Sequence, residues 1–180
     1  DIWRGNPEGT RDYTRRPIQS PRDWETLPAL TPAAPHLAAQ LECLRLIRSQ
    51  VPVETPLLQT IFNPLAQAKN LAGGDRLLVH LRRHPEAVLK GLETIALTTR
   101  RFIEAAFDIG IDGLFYAIQH AQAHLLTWGE YENFGLAFDQ QTLQSADRGW
   151  CNMLHLHGRE VYFDAAAHLP MHIVNWHDRE

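Results

Sequence analysis

Hydrophobic and polar positions change period several times along this chain, and each change marks an element. Leu37, Leu41, Leu44 and Ile47 recur at spacings of three and four, which predicts a helix from His36 that Pro52 and Pro56 close. Residues 57–62 form a short apolar run ended by Asn63-Pro64, the pattern of a buried strand. Two helices are expected over 75–83 and 85–108, the second with Pro85 at its start and Gly110 at its end. A second strand follows at 112–118. Thr127-x-x-Glu130 is a capping box that opens a helix running to about Ala146. A third strand at 150–156, a helix over 160–168 and a fourth strand at 171–176 complete the pattern. The first 35 residues lack periodicity and read as a loop-rich segment with one short helix, Ser20 as its N-cap and Pro21 in its first turn.

Strands alternating with helices imply right-handed βαβ units and a parallel sheet. Near-continuous apolar strands fit a sheet covered on both faces. Periodicity alone does not separate an open doubly wound sheet from a barrel. Four strands make half of an eight-stranded barrel, and the sequence stops soon after the fourth, so it reads as an internal piece of a larger barrel. The organisation expected is an N-terminal segment over 1–35 and a partial barrel over 36–180.

Composition narrows the partners. With 180 residues, 44% hydrophobic and a formal net charge of -4, the chain has the make-up of an ordinary globular protein. No stretch supplies the roughly 20 apolar residues of a membrane helix. Arg15-Arg16, Arg82-Arg83 and Arg100-Arg101 are isolated pairs, not a basic stripe, so no nucleic-acid surface is expected. Cys43 and Cys151 form no disulfide framework, and the expected compartment is the reducing cytoplasm. The ten histidines are many for this length and are the first sign of site chemistry.

Functional groups in parallel α/β folds gather at the C-terminal strand ends. That rule selects Asn63 and the loop to Asn70 after the first strand, then Tyr116, Gln119 and His120 around the end of the second. It selects His155 and His157 on the third and Asn175, His177 and Asp178 at the end of the fourth. His155-x-His157 is the sharpest feature. Side chains alternate along a strand, so both imidazoles leave one face about 7 Å apart at the backbone. They can chelate one divalent metal, with a third ligand from His177 or from beyond residue 180, or they can hydrogen-bond a substrate or each other. Cys151 shares their face but lies about 13 Å down the strand. Asp178 either orients a histidine or caps the next helix, and Gly73-Gly74 either offers amides to an anion or simply starts a helix. The expected pocket joins His155, His157 and His177 with Asn63, Tyr116 and His120. No P-loop, dinucleotide fingerprint or nucleophile elbow is present.

These residues resemble the uroporphyrinogen decarboxylase family over about 50–178. The matching segments are Phe62-Asn-Pro-Leu65 with Gly73-Gly74, His84-Pro-Glu-Ala-Val88, Gly110-Ile-Asp-Gly-Leu114, the helix over 128–146, and Leu154-His-Leu-His-Gly158. The last is similar to a strand of the family's zinc-dependent methyltransferases. The resemblance implies an α/β fold, the (β/α)8 TIM barrel, here a partial barrel of about four parallel strands with flanking helices. It implies first a cofactor-independent carboxy-lyase acting on a tetrapyrrole in porphyrin and haem biosynthesis. Asn70 stands where the family's decarboxylases carry a tyrosine, and Gln119-His120 where they carry an acidic residue and serine. The alternative it implies is a methyltransferase-like enzyme that uses zinc and a corrinoid protein on a methylated compound. There His155 matches the branch's histidine ligand and His157 stands in place of its cysteine. A third reading is a non-catalytic barrel that binds a tetrapyrrole or another small molecule. His155, His157 and His177 are the candidate catalytic residues, with Asn63, Asn70, Tyr116, Gln119, His120 and Asn175 for substrate. A homodimer is also admitted.

Overall fold

A computed structural model of the protein describes residues 13–177. Four parallel strands, β1 (Leu58–Phe62), β2 (Gly113–Ile118), β3 (Met153–Leu156) and β4 (Ile173–Trp176), pair in sequential order. A doubly wound sheet reverses its strand order at a switch point. This sheet does not reverse, and its two faces are buried unequally. Ile61, Leu114, Tyr116, Ile118, Leu154 and Leu156 are buried on the helix side, whereas Thr60 and Phe62 on the other face are exposed. The architecture is therefore a partial (β/α)8 barrel. The expected double coverage is not met among the described residues, because that second face is the one a closed barrel fills from strands across its axis. All four residues of β4 are exposed.

The helices are α1 (Pro21–Glu25), α2 (Pro35–Gln50), α3 (Pro64–Ala72), α4 (Gly74–Arg83), α5 (Pro85–Ile109), α6 (Trp128–Tyr131) and α7 (Ala137–Leu143). Short 3-10 turns cover Gln144–Ala146 and Phe163–His168, so the helix expected over 160–168 is tighter and shorter than an α-helix. In α5, Pro85 sits in the first turn and Gly110 adopts the left-handed conformation (φ 100°) that ends it, both as the sequence predicts. Gly91 on α5 gives the fully buried Trp24 of α1 room to lie flat, since a Cβ there would stand 2.6 Å from the indole ring. The indole Nε1 of Trp24 donates to Nδ1 of the buried His80, 2.9 Å away.

One helix stands where the sequence pattern suggests a loop. Residues 64–72 form α3, with Asn63 as a true N-cap whose side chain accepts from the Ala66 backbone N–H and with Pro64 in its first turn. Between α6 and α7, Glu132–Leu136 is a π-helical turn, marked by the Ala137 N–H bonding back to the Glu132 carbonyl. Gly135 sits there against the Tyr131 ring, where a Cβ would collide. Among the described residues no helix is long and apolar enough to cross a membrane.

Candidate metal and substrate site

Parallel register puts His155 beside Asn175 across β3 and β4, and Ala117 beside His155 across β2 and β3. Side chains in register share a face, so His155 projects from the open face of the sheet. Phe115, two residues before Ala117, stacks on the His155 ring with centroids 5.2 Å apart. His157 follows β3 and stays tied to the sheet through its N–H, which donates to the Ile118 carbonyl at 2.9 Å. His177 follows β4.

The three imidazoles converge. Ring centroids lie 5.7 Å apart for His155–His157 and His155–His177, and 4.6 Å for His157–His177. One nitrogen from each lies within 4.8 Å of the others. Nδ1 of His155 is 2.6 Å from Oδ1 of Asn175, which only accepts, so Nδ1 carries the proton and Nε2 is left with its lone pair.

This donor set fits zinc. Zinc takes imidazole nitrogens at about 2.0–2.1 Å in a tetrahedral arrangement, which needs nitrogens about 3.3 Å apart. The three nitrogens lie within 4.8 Å of one another, on side chains that are exposed or half-buried. Three nitrogens leave a fourth position for a substrate atom, the pattern of catalytic zinc. Asn175 fixes the ring of His155 as an outer-shell partner fixes a ligand.

The other expected residues divide among three places. Asn63 and Tyr116 do not join the histidines. Both are wholly buried on the helix side, where they donate to Asp139 of α7, Asn63 Nδ2 at 3.0 Å and Tyr116 Oη at 2.8 Å. Tyr116 lies one residue out of step with the face that carries His155, and that parity turns it away. Tyr131 Oη donates to the same carboxylate at 3.1 Å. Burial pushes the Asp139 carboxyl up to about 6, against the pull of its three donors, and burial beside Asp139 raises both tyrosines well above their ordinary value. Nothing in the sequence pattern marked Asp139.

Gln119 and His120 line a cleft of about 280 Å³ that also touches His157 and Lys69. His120 therefore neighbours the histidine cluster. Burial, helped by the Lys69 charge, lowers its pKa to about 4, so the ring is neutral near pH 7. Asn70 faces a different groove with Phe62, Gln67 and Thr99, and its carbonyl accepts from Arg16 Nη1 at 2.5 Å. Gly73 caps α4, the helix-start reading of the glycine pair. Asp178 lies outside the described residues.

Comparison with known proteins agrees with this architecture. The family model described as "Uroporphyrinogen decarboxylase (URO-D)" matches residues 6–179. Among solved structures, a methyltransferase from Methanosarcina mazei superposes with a TM-score of 0.71 at 18% identity, over 84% of this chain and 46% of that one. The chain thus spans about half the length of that neighbour, and the likeness shows a shared fold. No curated protein matches.

Proposed function

From the premise that the chain belongs to the uroporphyrinogen decarboxylase family, we propose that it carries the metal-binding half of a methyltransferase-like active site. His155, His157 and His177 hold one zinc ion there. The observation that carries the reading is the convergence of three imidazole nitrogens within 4.8 Å at two strand ends. Cofactor-free decarboxylation, the first expectation from the family resemblance, gives no reason for that convergence.

Zinc in such a site lowers the pKa of a bound thiol and supplies a thiolate to accept or release a methyl group, for which a corrinoid protein is the expected partner. The residues of this chain orient and shield. Asn175 holds the His155 ring in the tautomer that presents Nε2, and Phe115 covers one face of that ring. His120, neutral and largely buried, offers a hydrogen bond to substrate at the side of the cluster.

The test is metal content. Protein purified without chelator is expected to hold close to one zinc per chain by inductively coupled plasma mass spectrometry, and His177→Ala to lose it. Metal-free wild-type protein would sink the reading and leave the histidines as substrate contacts for decarboxylation.

A further inference from the structure

The cleft beside the histidine cluster has chemistry of its own. α3 contributes Lys69 to its lining, the loop after β2 contributes Gln119 and His120, and His157 of the cluster lines it as well. Lys69 is half-buried, and among the described residues no carboxylate pairs with it. His120 is 6% exposed, and its Nδ1 is sealed from solvent with no hydrogen-bond partner. Neither ring nitrogen bonds a described group, so the imidazole keeps hydrogen-bonding capacity that the protein leaves unused. A buried polar group without a partner is an unmet cost in the folded protein. Asp75, the acidic residue of the lining, is exposed at the rim, where water screens it.

We infer that this cleft is the subsite for the oxyanion of a substrate, held by Lys69 and His120, with the rest of that substrate reaching the cluster past His157. A cation is disfavoured by Lys69, and a wholly neutral group would leave that charge uncompensated in a partly dry wall. Carboxylate and phosphate share the chemistry required. Where the reacting end lies rests on the metal reading above; capture of the anion does not.

The experiment uses chelator-treated protein, so that no anion is captured by a metal. Its histidine rings are followed by proton–nitrogen NMR, with His120 assigned from a His120→Gln variant, during titration with sodium acetate and separately with inorganic phosphate at constant ionic strength. A saturable shift of the His120 ring is expected, and the tighter of the two anions identifies the substrate group. Lys69→Met should weaken binding roughly tenfold to a hundredfold, the range of one charge-assisted hydrogen bond, and Lys69→Arg should keep most of it. Circular dichroism verifies that each variant is folded. An unmoved His120 ring, equal affinity in folded Lys69→Met, or binding seen only after zinc is restored would each overturn the assignment. Because the titration is metal-free, a protein that binds anion but no zinc would refute the metal reading alone.

Discussion

Asp139 and Asn63, 76 residues apart, meet in the layer between sheet and helices, where the amide of Asn63 donates to the carboxylate at 3.0 Å. The same amide group caps α3 through its oxygen, so one side chain fixes the start of that helix and one donor of a buried carboxylate. Replacing Asn63 with alanine removes both. A lost cap costs about 1 kcal/mol and a lost buried bond to a charged group about 2, so urea unfolding of Asn63→Ala should show a loss of about 3 kcal/mol. Stability equal to wild type would mean that the two bonds do not form.

Asp139 also gives stability a defined pH dependence. Its folded pKa of about 6 stands above the ordinary 3.8, so its share of stability is complete below the lower value and is lost as pH rises through the upper one. The difference is about 3 kcal/mol at most, taking each unit as about 1.4. His120 acts oppositely in an overlapping window, because its folded pKa of about 4 lies below 6.5 and its share is lost as pH falls. The two contributions mask each other in the wild type. Comparing Asp139→Asn with wild type from pH 4 to 7 isolates the carboxyl, and the variant should gain relative stability as pH rises. A pH-independent difference between the two proteins would contradict this.

A methyl group at Gly113 would be driven into the backbone carbonyl of Cys151, which cannot swing aside as a side chain can. Gly113→Ala is therefore expected to cost about 3 kcal/mol and to lower the thermal midpoint by several degrees. Gly74→Ala serves as the control, since a Cβ there meets nothing within 4 Å. Equal midpoints for the two variants would show that β2 and the segment before β3 are not so closely packed.

Asn175 touches His155 through the nitrogen that faces away from the proposed metal. Asn175→Ala should keep zinc but weaken it roughly tenfold to a hundredfold, the usual effect of losing an outer-shell partner. Competition against a chromophoric chelator measures this directly. Unchanged affinity would remove Asn175 from the site.

Much of this was legible in the residue pattern, for identifiable reasons. Two-residue alternation put His155 and His157 on one face whatever their surroundings, because that rule is local to a strand. The Thr127 and Glu130 capping box is equally local, and both of its bonds form. Tyr116 could not be placed the same way. Its face depends on how β2 registers with β3, which no single strand encodes. The pattern does not separate α3 from a loop although Asn63 and Pro64 are good start signals, since Gln67, Lys69 and Asn70 after a strand end also fit a functional loop. Reading α3 as a loop left Lys69 as one undistinguished member of the segment up to Asn70, and its place in the cleft follows from the helix. Asp139 gave no signal at all, because a carboxylate on a helix is ordinarily solvated.

The π-helical turn has a consequence for that carboxylate. Tyr131 and Asp139 are eight residues apart, and in an uninterrupted α-helix their side chains would point about 80° apart around the axis. The wide turn at Glu132–Leu136 absorbs one residue, so the two behave as a pair seven apart, within about 20° of the same direction. That single extra residue resets the angular phase of α7, and it aims Asp139 at the hydroxyl of Tyr131 instead of along the helix surface.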